Sequence, residues 1–298
     1  LMTTNTGKHA RNTKSSSALG ELFDHGLDAV TTMFQTVIIL ASLQLGPGYW
    51  SGLVMFLMYI SSYLVIWEDY VTDELRFGAL NSPTEAILLA VTILVSTGLI
   101  GPQFWTNDAV GSYPLNKIET CASTLLAASV IYDTIRNVLT KARSKQNNRA
   151  NTIGGVPGAL RGLYPIIGVA VLYLIYAFAA PVLIHNHVIS FICSYGLLGS
   201  YMQTRMILAR VCHETIPSVQ TILVPLPFVV FNAVFIQFNV VLVHTLYMVF
   251  IVACYGHLAY NVITEITLVL GIECFSLKKH PQIKEGYLGL PSNKQKSQ

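Results

Sequence analysis

The feature that most restricts what this chain can become is a series of long apolar stretches, at 18–45, 50–67, 85–101, 115–139, 160–184, 187–211, 217–236 and 239–272. Apolar runs of about 18 or more residues with few charges mark helices that cross a bilayer. In hydrocarbon every backbone N–H and C=O has to be satisfied within its own segment, which a helix achieves. The expected fold is an all-α polytopic membrane protein of about eight transmembrane helices, a single integral membrane domain over 1–298 with a tail at 273–298. Composition agrees, with 53% of the 298 residues hydrophobic and 11% charged, whereas soluble domains are roughly a quarter charged. A net charge of +3 is too small to suggest a nucleic-acid partner.

Local signals punctuate these runs. Gly46-Pro47-Gly48 predicts a tight turn, Asn81-Ser82-Pro83 opens a helix, and Gly154-Gly155-Val156-Pro157-Gly158 closes a polar loop. Cys121, Cys193, Cys212, Cys254 and Cys274 are scattered without a CxxC pair, so free thiols are expected. The chain starts at Leu1 with no secretory signal pattern, and a fragment boundary or an incomplete gene model is expected there.

Charge sets the expected orientation. Alternating spans sort the connections into two sets. One set, made of the N-terminal stretch, 68–84, 140–159, 212–216 and the C-terminal tail, carries Lys8, Arg11, Lys14, Arg76, Lys141, Arg143, Lys145, Arg149, Lys278, Lys279 and Lys284. The other set, 46–49, 102–114, 185–186 and 237–238, carries no Lys or Arg. The positive-inside rule places the first set, both visible termini included, in the cytosol. The basic run from Lys141 to Arg149 reads as a positive-inside loop, with binding of anionic head groups as the alternative.

The chemistry concentrates near the start. Gly7-Lys-His-Ala-Arg11 precedes Gly20-Glu-Leu-Phe-Asp24-His-Gly-Leu-Asp28. On a helix Glu21, Asp24, His25 and Asp28 stand three and four residues apart and share a face. Ionisable groups at the mouth of a membrane helix are costly and point to function. Two carboxylates one turn apart suit a hard cation with oxygen ligands, Mg²⁺ or Mn²⁺. His25 beside them is a candidate proton acceptor at neutral pH. The alternative is a solvated, acidic helix start, against which Asp24 and Asp28 lie too deep for simple capping.

These residues resemble the CDP-alcohol phosphotransferase family, whose pattern is D-x2-D-G-x2-A-R-x8-G-x3-D-x3-D. Gly7, Ala10, Arg11, Gly20, Asp24 and Asp28 stand at the required spacings. Ser15 to Asp28, Trp67-Glu-Asp-Tyr70, Pro83-Thr-Glu85 and Phe275-Ser-Leu-Lys-Lys-His-Pro281 resemble the eukaryotic choline/ethanolaminephosphotransferase branch. The resemblance implies a ten-helix fold, here without its first two helices. It implies transfer of phosphoethanolamine or phosphocholine from CDP-ethanolamine or CDP-choline to diacylglycerol, with release of CMP. Asp24 and Asp28 would ligate metal, Gly7, Ala10, Arg11 and Gly20 would meet the nucleotide and phosphates, and His25, oriented by Glu21, would take the proton. The implied setting is an endoplasmic reticulum or Golgi membrane, and the resemblance allows a homodimer.

The family's first two aspartates fall at Thr3 and Thr6. A Thr hydroxyl can touch Mg²⁺ but brings no negative charge, and losing two charged ligands is expected to cost several kcal/mol, on the order of a broken buried ion pair. The alternative reading is therefore a non-catalytic membrane paralogue or a truncated inactive chain. A transporter or channel is disfavoured, because the carboxylates gather at one mouth and no internal repeat is visible.

Other ionisable residues fall inside or beside the spans. Glu68 and Glu85 flank the 68–84 connection, and Asp133 and Arg136 are expected to pair. Arg205 and Arg210 are expected to hold anions or to snorkel to the interface, with snorkelling favoured for Arg210. His257, Asn261 and Glu265 make a polar stripe that should face protein or water.

Overall fold

The computed structural model describes residues 18–73, 83–144, 148–217 and 220–270. The helices are α1 (Ala18–Ser42), α2 (Tyr49–Thr72), α3 (Pro83–Ile100), α4 (Leu115–Arg143), α5 (Asn148–Thr152), α6 (Gly155–Arg161), α7 (Tyr164–Ala179), α8 (Pro181–Asn186), α9 (Val188–Val211), α10 (Pro225–Phe231) and α11 (Val240–Leu270). A helix occupies every apolar run, so the all-α class stands. By length and composition three segments suffice to cross a membrane, Tyr49–Thr72, Gly155–Ala179 and Val240–Leu268; Ala86–Ile100 and Thr221–Ile236 are shorter apolar helices. The helices α1, α4 and α9 are 25, 29 and 24 residues long but carry ionisable side chains. Large apolar side chains such as Leu99, Leu125, Phe178 and Phe228 point outward, as a lipid-facing surface requires.

One local expectation is corrected. The 140–159 segment is not a plain loop but holds α5 and α6; Gly154 and Gly155, both at positive φ (95° and 68°), turn the chain between them. The 102–114 connection contains a two-stranded hairpin, Asp108–Val110 with Tyr113–Pro114. Gly111 and Ser112 adopt positive φ at its tip, as a two-residue hairpin turn demands. The Gly46-Pro47-Gly48 turn forms as expected, with both glycines at positive φ. Cys121, Cys193, Cys212 and Cys254 are free, and Cys274 lies outside the described residues.

Helix α9 is the hub, packing along α1, α2 and α11, while α4 lies on another side of α2. On α1 the buried stripe is Leu22, Gly26, Ala29, Met33, Thr36 and Leu40, at the spacing of one helix face. Small residues of α9 let it approach: Ser200 Oγ donates to the Ala29 carbonyl at 2.7 Å. A Cβ on Gly196 would meet the Tyr59 hydroxyl well inside contact distance and Met33 Cγ at 2.8 Å. Close helix approach through such residues is a general device of membrane bundles. Gly196→Ala is expected to destabilise the protein by about 1–3 kcal/mol through overpacking. Because the Tyr59 hydroxyl is buried and has no hydrogen-bond partner among the described residues, adding Tyr59→Phe should recover part of the loss. Thermal unfolding of the single and double variants in detergent measures both effects; no loss in Gly196→Ala would mean the helices separate freely.

Candidate functional site

The register of α1 on α9 fixes the level of the predicted carboxylates. Met33 faces Gly196, Ala29 accepts from Ser200, and a Cβ on Gly26 would lie 3.9 Å from Thr204 Oγ1. The two helices therefore run antiparallel, and the start of α1 lies beside the end of α9. Asp24 and Asp28 fall on the side of α1 away from the buried stripe, one turn apart. Asp24 and His25 are half-buried, and Asp28 is exposed. The helix beneath them is held firmly: the Asp28 carbonyl accepts from the Thr31 and Thr32 hydroxyls at 3.0 and 2.9 Å. Gly20 is exposed in the first turn of α1. Glu21 belongs to the same helix, but its side chain lies outside the described residues, as do Gly7, Ala10, Arg11, Thr3 and Thr6.

The donor chemistry fits a hard divalent cation, with two carboxylates and no thiolate on that face. It supplies only part of a coordination shell. Among the described residues no three His, Cys, Asp or Glu side chains converge as a metal-binding group. Asp24 and Asp28 would hold the ion, with waters and phosphate oxygens as the usual remaining ligands.

At the same end of the bundle lies a polar layer that sequence reasoning did not resolve. The Arg210 guanidinium pairs with Asp69 at 3.0 Å and with Asp73 at 3.3 Å, tying the end of α9 to the end of α2. Arg210 thus does not simply snorkel, as the sequence had suggested. Asn137 on α4 donates to the Glu68 carboxylate on α2. Arg149, expected in a solvated basic loop, is instead 7% exposed. Its Nε donates to the Tyr70 carbonyl at 3.3 Å, and its NH2 group donates to the carbonyls of Ala209 and Glu214 at 3.2 and 2.9 Å. Its guanidinium carbon also sits 4.9 Å from the centroid of the Tyr70 ring, a cation–π distance. Helix ends leave unpaired carbonyls, and Arg149 satisfies those of two helices at once. The only sequence signal here was the string Trp67-Glu-Asp-Tyr70 beside a membrane boundary.

Two other expectations have different outcomes. Among the described residues Asp133 and Arg136 form no ion pair with each other. In the α11 stripe, Asn261 and His257 hydrogen-bond at 2.9 Å, and His257 and Glu265 are exposed.

The family model for CDP-alcohol phosphatidyltransferase matches residues 6–192. The chain is 33% identical over 96% of its length to an uncharacterized CDP-alcohol phosphatidyltransferase class-I family protein of Dictyostelium discoideum, of which it spans 66%. It is 32% identical over 92% of its length to choline/ethanolaminephosphotransferase 1 of Arabidopsis thaliana, of which it spans 74%. It is 28% identical over 70% of its length to choline/ethanolaminephosphotransferase 1 of Saccharomyces cerevisiae, of which it spans 54%. Gly7, Ala10, Arg11, Gly20, Asp24 and Asp28 all fall inside the matched region.

Proposed function

The chain belongs to the CDP-alcohol phosphatidyltransferase family, a family of membrane transferases of phospholipid synthesis, and on that premise we propose that it transfers phosphoethanolamine or phosphocholine from a CDP-alcohol to diacylglycerol, releasing CMP. The observation that carries this reading is the placement of Asp24 and Asp28, one turn apart on the unpacked side of α1 at one end of the bundle. Both substrates fit that place, since a nucleotide arrives from water and diacylglycerol stays in the bilayer.

In this reading the diacylglycerol hydroxyl oxygen forms a bond to the β-phosphorus, and the bond from that phosphorus to the CMP oxygen breaks. His25 accepts the hydroxyl proton, oriented by Glu21. Asp24 and Asp28 would hold Mg²⁺ or Mn²⁺, which when bound would supply charge neutralisation for the pyrophosphate. Gly7, Ala10 and Gly20 leave room for the nucleotide, and Arg11 pairs with a phosphate. Transfer of labelled phosphoethanolamine or phosphocholine from the CDP ester to diacylglycerol, in membranes lacking host activity, tests the reading. The second reading, a non-catalytic paralogue of the family, is favoured by Thr3 and Thr6 and predicts no transfer.

The proposed arrangement is a membrane of the endoplasmic reticulum or Golgi, with eight spans and with both termini and the carboxylate end cytosolic. The Lys/Arg asymmetry supports it. Cysteines introduced by Ser144→Cys and Ser297→Cys are expected to react with an impermeant maleimide in sealed microsomes, above the level of the unsubstituted chain. Protection of the tail cysteine until detergent is added would reverse the orientation.

A further inference from the structure

The seam between α6–α7 and the segment that follows α9 contains two cavities, and neither is lined by a residue of α1. The first, about 150 Å³, lies against Tyr70, Arg161, Gly162, Thr215 and Ile216. The second, about 250 Å³, lies between α7 and α10 and is lined by apolar residues, among them Pro165, Leu172, Leu223 and Leu226. They adjoin along the chain: Arg161 and Gly162 line the first and Tyr164 and Pro165 the second, while Ile216 and Leu223 stand opposite.

The two ends differ in chemistry. Arg161 is exposed at the end of α6, and no carboxylate pairs with it among the described residues. The Tyr70 ring that walls the same cavity carries the Arg149 guanidinium on its face, at 4.9 Å. Arg149 donates to carbonyls at the ends of two helices, whose dipoles take up part of its charge. The cavity thus has an arginine in its wall that is placed to bind a phosphate in bidentate fashion. The second cavity has no such group. Its α7 wall runs from Tyr164 to Leu172, about 12 Å at helical rise, most of the depth of one leaflet's hydrocarbon. Tyr164, 57% exposed, stands between the two, where amphipathic aromatics mark the membrane interface.

We propose that this seam is a lipid site distinct from the carboxylate face of α1, and that it takes a glycerophospholipid, with the phosphate on Arg161 and one acyl chain in the groove between α7 and α10. Basic pockets next to membrane helices are suited to such head groups. Arg161 selects for the phosphate, and the groove selects for the chain. The site holds whether or not the chain catalyses transfer, because it shares no residue with the transfer site.

Two substitutions separate the parts. Arg161→Ala removes the exposed cation. Gly168→Leu fills the groove, and a Cβ at Gly168 meets nothing within 4 Å, so the added side chain enters open space. The 298-residue chain, purified in detergent, is titrated with dioleoyl phosphatidate and the bound lipid counted by native mass spectrometry. One saturable molecule is expected on the unsubstituted chain. Each substitution should weaken it about tenfold, the loss of one modest interaction, with the thermal unfolding midpoint unchanged. Dioleoylglycerol, which lacks the phosphate, should not saturate the site, and inorganic phosphate should displace the lipid poorly. Equal lipid retention in all three proteins overturns the proposal. Full displacement by inorganic phosphate also overturns it, by identifying a soluble anion as the ligand.

Discussion

Asp24→Ala and Asp28→Ala are each expected to remove divalent-cation binding and any CMP-releasing activity, while leaving the fold intact. Both side chains lie away from the stripe that packs α1 against α9, so their loss should change stability by no more than about 0.5 kcal/mol, as for an ordinary surface substitution. The effect on the ion is far larger. Removing one charged partner from a tight site costs about 3–5 kcal/mol, a factor of roughly a hundred or more in affinity. Mn²⁺ titration of purified protein, followed by electron paramagnetic resonance, reads this directly. If both variants are folded and bind Mn²⁺ as the unsubstituted chain does, the carboxylates are not the metal site and the proposed chemistry loses its anchor.

The opposite experiment adds charge rather than removing it. Thr3→Asp with Thr6→Asp, in a chain extended by an N-terminal membrane segment, is expected to raise transfer activity strongly. Asp24 with Asp28 supplies two carboxylates where the family pattern has four, its other two positions being Thr3 and Thr6. Two further carboxylates would balance the site and lower the barrier. A gain of about 4 kcal/mol corresponds to roughly a thousandfold in rate. The assay is the labelled transfer to diacylglycerol described above. If the unsubstituted chain already turns over at more than about a tenth of the extended variant's rate, a gap of under 1.4 kcal/mol, the Thr hydroxyls are adequate ligands. If the extended variant is also inactive, the non-catalytic reading gains.

What the sequence disclosed follows from how the information is stored. Helix positions are local, so the apolar runs located the long helices α1, α2, α3, α4, α9 and α11 within a few residues, while the short α5 and α6 fell in a segment read as a loop. The Asp24–Asp28 spacing is also local, since a four-residue interval means a shared face wherever a helix forms. The pairing of Arg210 with Asp69 joins residues far apart in the chain, and nothing in the periodicity of either helix marks the other as its partner. Arg149 is the sharper case. Among Lys141, Arg143 and Lys145 it reads as one more solvated cation, yet it is buried, because the carbonyls of two helix ends converge on it. The hairpin at 108–114 escaped for another reason: its strands are three and two residues long, too short for an alternating pattern to register.

The Arg149 tie also bears on how the protein reaches its final form. Two of its acceptors, Ala209 and Glu214, lie 60 and 65 residues further along the chain. A ribosome adds residues in order, at about 5–20 per second, so several seconds separate the synthesis of the donor from that of its acceptors. During that interval Arg149 has the carbonyl and ring of Tyr70 to meet, and its bonds to Ala209 and Glu214 cannot yet form. Closure of this corner waits until α9 is laid against α1 and α2. Arg149 is therefore a latch that can close fully only once the end of α9 has been made.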